Sequence, residues 1–410
     1  MPTKYNRAGK MQPYVPAGNK DGGEYRGDGF GGENYTPIRA KPQGSEIEKP
    51  DIETTPKLEQ KEEIKSTKSF IDDIAKDTNL YVLGEEIQNK LQDSLEGSNE
   101  TALNATIKQL NNQKNKNELF KKVEGTSYYR EIDNQVGISE NSIDKAFSKQ
   151  GMTFFHEVGH LINHKNKQQE QKKNWFGTYR DEVILTESKD LFEDGKSLRE
   201  TIQEEIGEFS AKKIPQEIRK EQNKFYKEYF KNTNYDEKLK KESNEFVKQF
   251  HEEHGLERLK KTIRDSINSG EIPVSTGQAR LDYIFENWEN QYPEYKKQSA
   301  IRKEQNKLFA EAQNKWFKET GMECVSDMWS SKADMGFGIG HTRQYYAKGS
   351  GYYASLKQAE TLLGDEFFAT MWGARVLNYT ECIESTKKYL PKSYAKFEKL
   401  AKLIEEKQYE

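Results

Sequence analysis

The chain has 410 residues, with 65 Lys and Arg against 68 Asp and Glu for a formal charge of −3, a balance that argues against an extended polyanion-binding surface. Hydrophobic residues make up 33% and charged residues 32%, with a mean hydropathy of −1.06, so part of the chain must be disordered or thinly packed helix. Only two cysteines occur, Cys324 and Cys382, too few for a disulfide framework or a cysteine-based metal site, so any metal must be held by histidine and carboxylate.

Residues 1–10 lack the apolar core of a signal peptide, and no apolar run approaches the roughly 18 residues of a membrane helix, so a soluble protein without membrane contact is expected. Residues 1–60 hold seven of the eleven prolines and a glycine cluster, and they read as a disordered tail. Residues 61–165 begin with helical spacing at Phe70, Ile71 and Ile74 and again at Leu103, Ile107 and Leu110. The stretch 127–138 is rich in aromatic and β-branched residues around Asp133-Asn134, which predicts a strand or short hairpin.

Residues 166–320 read as a charged helical block, densest from 196, with thin apolar stripes such as Leu198, Ile202, Ile206 and Phe209, then Leu308, Phe309, Ala312 and Trp316. Gly321 is expected to stop its last helix. The heptamer Ile-Arg-Lys-Glu-Gln-Asn-Lys occurs at 218–224 and at 301–307, from a duplicated helical hairpin or from biased composition. His251 and His254, with two acids between them, read as a solvated helix end. Acids interleave with the lysines throughout, so no nucleic-acid partner is expected.

Six histidines serve the whole chain, yet His156, His160 and His164 fall within nine residues. His156-Glu157-x-x-His160 is a zinc-binding helix pattern, and chance supplies on the order of 0.01 such occurrences at this composition. At about 100° per residue, Phe154, Phe155, Val158, Leu161 and Ile162 gather on one side and the three histidines with Glu157 on the other. Residues four apart lie one turn apart, so two imidazoles can converge on one cation while Glu157 points beside it as a general base and acid.

A catalytic zinc site takes three protein ligands and an open position. His164 continues the stripe, but one further turn along a straight helix cannot close on the same ion, so it reads as a polar neighbour. Glu323 stands four residues before Asp327, an arrangement similar to the glutamate helix of thermolysin-type enzymes, in which the later Asp orients a histidine. Glu366 opens a helix whose Phe367, Phe368, Met371, Trp372 and Val376 can pack against the first. His341 follows Gly-Phe-Gly-Ile-Gly in a loop suited to reach into a cleft.

The order of His-Glu-x-x-His, Val325-Ser326-Asp327, Gly340-His341 with Tyr345-Tyr346, Glu366-Phe-Phe-Ala and Tyr389-Leu-Pro-Lys-Ser-Tyr394 resembles zincin metallopeptidase domains encoded by phages and prophages. These accompany head-morphogenesis proteins of the MuF type, and the Asp-Gly-Gly segment at 13–25 is similar to linkers near the start of such proteins. The resemblance covers about 125–165 and 321–405 and makes the helical block between them an insertion. It implies Glu366 as third ligand over Glu323 with the Ser326-Asp327 segment and the Gly340-His341 loop flanking the cleft, and there His341 or a nearby tyrosine can donate to the oxyanion. Thr370 stands where some relatives carry a second acid. It also implies that substrate backbone pairs with the edge strand of a small sheet near 128–138, and a location in a bacterial host's cytoplasm or in a virion.

The expected fold is therefore α+β and mainly helical, a zincin-like core of small sheet and active-site helices with residues 321–410 completing it. The expected activity is that of a zinc-dependent metalloendopeptidase with Zn2+ on His156, His160 and Glu366, Glu157 and His341 as catalytic residues, and a protein or peptide substrate. The alternative is an interaction or structural protein whose helical insertion binds a protein partner and whose metal is structural or regulatory. Hydrolysis of another amide is a third reading of the same site.

Overall fold

Apolar residues at spacings of three and four drive the first helices, and the computed structural model shows them in place. It describes residues 4–5, 11–12 and 68–406, apart from 141–146, 175–176, 270, 334–335 and 349–355. Lys4–Tyr5 (β1) and Met11–Gln12 (β2) pair antiparallel, and the rest of the tail expected at 1–60 lies outside the described residues. Lys68–Asp77 (α1) buries Phe70 and Ile74, Glu85–Ser94 (α2) buries Ile87 and Leu91, and Glu100–Asn111 (α3) buries Leu110. Asn99 caps α3 by accepting from the Ala102 N–H at 3.1 Å.

Phe120–Val123 (β3), Tyr128–Arg130 (β4) and Gln135–Ser139 (β5) form a sheet in the order β3-β5-β4. The hairpin expected at 127–138 is present, β4 pairing antiparallel with β5 across a turn in which Asn134 takes a φ of +50°. Strand β5 runs parallel to β3 and is central, burying Val136 and Ile138, which leaves β4 at the edge.

Met152–Lys165 (α4) carries the histidines and is buried from residue 152 to 163, its polar side as well as its apolar one. Next, Gln168–Asn174 (β6) and Gly177–Val183 (β7) make an antiparallel hairpin where the sequence reading had only charged helix. Cross-strand pairing stabilises a polar ribbon that has no apolar stripe to announce it.

Leu198–Ala211 (α5) starts at a capping box of Ser197 and Glu200 and buries Leu198, Ile202, Ile206 and Phe209. Ile214–Phe230 (α6), Glu237–Glu253 (α7), Leu256–Asn268 (α8), Val274–Gln291 (α9) and Pro293–Thr320 (α10) follow, and Gly321 ends α10 at a φ of +59°. Glu323–Ser330 (α11), Arg343–Lys348 (α12), Leu356–Val376 (α13), Thr380–Tyr389 (α14) and Pro391–Glu406 (α15) complete a mainly helical protein with small sheets.

The expected 166–320 block is not one unit. Residues of α5 and α6, including Ile202, Phe209, Ile218 and Tyr226, join α4, α13 and the first helices in the main core. Glu205 of α5 caps α15, accepting from the N–H groups of Lys392 at 2.8 Å and Ser393 at 2.7 Å. A separate small core of Val247, Phe250, Leu256, Trp288 and Tyr295 belongs to α7, α8, α9 and the start of α10. His251 and His254 sit within that aromatic cluster and not at a solvated end. His251 Nε2 meets Tyr295 OH at 2.9 Å, and His254 stacks on Phe250 at 3.8 Å.

The two heptamers are both helical, and each buries its glutamine against a loop carbonyl. Gln222 donates to Phe337 O at 2.8 Å, and Gln305 donates to Asn234 O at 3.1 Å. No helix among the described residues is long and apolar enough to cross a membrane.

Candidate metal centre

Two helices that can touch at backbone distance build the site. A Cβ at Gly159 of α4 would stand 2.7 Å from Ala369 Cα of α13, and one at Gly373 would stand 3.3 Å from the backbone nitrogen of His156. This approach brings Glu366, in the middle of α13 and not at its start as expected, against the histidines of α4. The helix extends upstream because residues before Glu366 also pack, Leu362 and Leu363 being buried.

His156 Nε2, His160 Nε2 and Glu366 Oε2 form a triangle with sides of 3.1, 3.3 and 3.5 Å. Bonds of about 2.0–2.1 Å to a tetrahedral cation place neighbouring ligand atoms about 3.3 Å apart, so the triangle fits one face of such a site. Glu366 Oε2 is buried and aligned with neither imidazole as a hydrogen-bond acceptor. The buried His and Glu cluster can hold a metal ion.

The outer ring nitrogens each face a polar side chain. Thr370 Oγ1 lies 3.2 Å from His156 Nδ1. Asp365 Oδ1 lies 3.0 Å from His160 Nδ1, off the line of its N–H. These contacts leave both Nε2 atoms directed at the triangle, the arrangement that metal-ligating histidines require. His164 is not a third corner. Its Nε2 meets Asp365 Oδ2 at 3.0 Å and its Nδ1 lies 3.4 Å from Glu131 Oε2, so the polar-neighbour reading is the placement observed.

Glu323 is elsewhere in the core, where it accepts from Ser148 Oγ and from Tyr379 OH, the latter at 3.0 Å. Burial pushes its pKa up to about 7 against those donors. The thermolysin-like placement of a ligand at 323 therefore does not occur. Its companion Asp327 does orient a histidine, however: Oδ1 accepts from the His341 N–H at 2.7 Å and lies 3.0 Å from His341 Nδ1.

The His341 loop is held from two sides. Ser326 Oγ accepts from the Phe337 N–H at 2.9 Å and donates to Ile339 O at 2.5 Å, while Arg219 of α6 donates to Gly336 O at 2.7 Å. Gly340, at a φ of +127°, has Asp327 Cα 2.7 Å from where a Cβ would stand, so only glycine lets the loop pass. The loop leaves His341 Nε2 3.8 Å from Glu366 Oε1, with its ring stacked 4.1 Å from that of Tyr345. Tyr345 in turn donates to Glu366 Oε1 at 2.5 Å. Burial opposes protonation of His341, but the carboxylates of Glu366 and Asp327 outweigh it and set a pKa of about 9.

Glu157 is buried beside the triangle, and that burial raises its pKa despite the opposing fields of His156 and His160. All five residues singled out from the sequence, His156, Glu157, His160, His341 and Glu366, are thus gathered at one buried place. Asp365 and Glu131 escaped the sequence reading; the one signal for Asp365 was its adjacency to Glu366. No family model matches the chain, and no curated protein or solved structure matches it either.

Proposed function

We propose that the chain is a zinc-dependent metallopeptidase of the zincin type, phage- or prophage-encoded, with β3 to β5, α4 and α13 as its zincin-like core. The observation that carries this reading is the triangle of His156 Nε2, His160 Nε2 and Glu366 Oε2 with Glu157 buried beside it. Two imidazoles and one carboxylate are a donor set suited to zinc with a position left open.

A bound zinc ion would supply a Lewis acid that polarises a carbonyl and acidifies water. The chain's own groups do the rest. Glu157 takes a proton from the attacking water and passes it to the leaving amine. His341, braced at Nδ1 by Asp327, offers Nε2 to the carbonyl oxygen as negative charge develops there. Tyr345 occupies Glu366 Oε1 and leaves Oε2 for the ion. Strand β4, at the sheet edge beside α4, offers backbone groups to an extended peptide.

The test pairs metal analysis with peptide hydrolysis followed by mass spectrometry. Wild type is expected to hold one zinc per chain and to cleave; Glu157→Gln is expected to keep the zinc while turnover falls to background. Undiminished cleavage by that variant would overturn the reading, and product masses separate peptide bonds from other amides.

The separate core of α7 to α10 favours a second reading, in which this part binds a protein partner and the metal serves structure or regulation. Zinc without hydrolysis of any peptide, together with a partner lost on removing α7 to α9, would move the balance to it.

A further inference from the structure

The third histidine of the α4 stripe is half-buried and outside the ligand triangle, and the residue that explains it is Asp365. This carboxylate is 6% exposed and both its oxygens are engaged. Oδ1 accepts from Asn163 Nδ2 at 2.7 Å and lies 3.0 Å from His160 Nδ1, while Oδ2 meets His164 Nε2 at 3.0 Å. Asn163 is itself fixed, its Oδ1 accepting from the Thr186 N–H at 3.0 Å and its Nδ2 lying 3.1 Å from Thr186 Oγ1. The carboxylate therefore has little freedom to turn.

Beyond His164 the chain of polar groups continues to the surface. His164 Nδ1 lies 3.4 Å from Glu131 Oε2, in the turn between β4 and β5, and Lys167 Nζ pairs with Glu131 Oε1 at 3.1 Å. The Tyr129 ring of β4 tilts against the His164 ring at 5.5 Å. One row of contacts thus runs from the edge-strand hairpin through Glu131, His164 and Asp365 to His160.

We propose that Asp365 is a positioning residue that acts through His160, with His164 as the group that holds Asp365 in place and ties it to the β4–β5 hairpin. This inference rests on the metal-centre reading above. A fixed carboxylate 3.0 Å from the rear nitrogen of a histidine ligand, although off the line of its N–H, restricts the ring and through its charge raises the donor strength. His164 repeats the stripe spacing because the same one-turn rise that aligns His156 with His160 aligns His164 with the second oxygen of Asp365.

The experiment uses the full chain and measures zinc affinity by chelator competition, together with the visible spectrum of the Co2+-substituted protein. Asp365→Asn is expected to bind zinc about 10–100-fold more weakly while keeping one metal per chain, with shifted Co2+ bands. His164→Gln is expected to weaken binding in the same direction by less. The double variant is expected to be no weaker than Asp365→Asn alone, since the two act along one row.

Wild-type affinity and spectrum in Asp365→Asn would overturn the inference, as would losses that simply add in the double variant. Loss of the bound metal in His164→Gln would make His164 a ligand and overturn it as well. If Asp365→Asn does not fold, His164→Gln carries the test, and unchanged affinity there overturns the proposal. Absence of metal from the wild type would instead sink the metal-centre reading itself.

Discussion

Gly159 and Ala369 meet without a side chain between them, a Cβ at 159 being placed 2.7 Å from Ala369 Cα. The triangle of His156, His160 and Glu366 depends on that contact, because Glu366 lies on α13 one turn before Ala369 and the two histidines flank Gly159 on α4. Substituting Gly159→Ala would force the helices apart and is expected to cost about 1–3 kcal/mol and to weaken metal binding. Gly207→Ala on α5, where a Cβ meets nothing within 4 Å, is expected to gain about 0.5–1 kcal/mol. Thermal melts of both variants check this, and a wild-type melt for Gly159→Ala would show that the close approach is dispensable.

Metal analysis of two alanine variants separates the two buried glutamates. Glu366→Ala is expected to lose or weaken the zinc, whereas Glu323→Ala, whose partners are Ser148 and Tyr379, is expected to retain it. The reverse pattern would move the site to α11.

Glu323 also predicts a pH dependence of stability. Its pKa is raised from 4.5 to about 7 by burial, so the folded state prefers the neutral carboxyl. That contribution is complete below about pH 4.5 and is lost as pH rises through about 7, on the order of a few kcal/mol. Glu323→Gln cannot ionise and should lack this decline. Urea denaturation of both proteins at pH 5 and pH 8 measures it; parallel losses in the two would assign the decline to other groups.

His341 and Asp327 are expected to matter for turnover and not for metal content. His341→Gln should lower kcat by about 10²–10³ with zinc retained, the size of effect seen when an oxyanion donor is removed. Asp327→Asn should follow in the same direction, since Asp327 acts through the loop it holds. Zinc loss in His341→Gln would instead make His341 a ligand.

The small core of α7 to α10 is expected to fail locally. Trp288→Ala removes a buried ring and should cost about 3–5 kcal/mol there, as read by hydrogen exchange in α7 to α9, with zinc affinity unchanged. A matching fall in zinc affinity would show that the two cores unfold together.

His156, Glu157 and His160 were legible because helical period alone sets their mutual geometry. Glu366 was a candidate from the apolar face of its helix, but only a resemblance set it above Glu323, since nothing in local spacing links it to α4. The contacts of Asp365, Thr370 and Tyr345 depend on how α13 docks, which no pattern within either helix encodes. The block at 166–320 hid its structure for a different reason. Charged positions outnumber the few that pack, so Phe250, Trp288 and Tyr295 did not stand out as a core around His251 and His254. The β6–β7 ribbon carried no apolar alternation at all.

Helix α10 is continuous over 28 residues, about 42 Å at 1.5 Å per residue. Tyr295 near its start is built into the small core, and Trp316 and Phe317 near its end are built into the large one. Its C-terminal end is clamped, because Gly321 lies so close to the backbone of Glu381 and Cys382 that no side chain fits there. A tilt of about 5° about that clamp would sweep the N-terminal end of α10 through about 4 Å. A load applied at the N-terminal end would therefore arrive, as torque, at the clamp from which α11 and Asp327 depart.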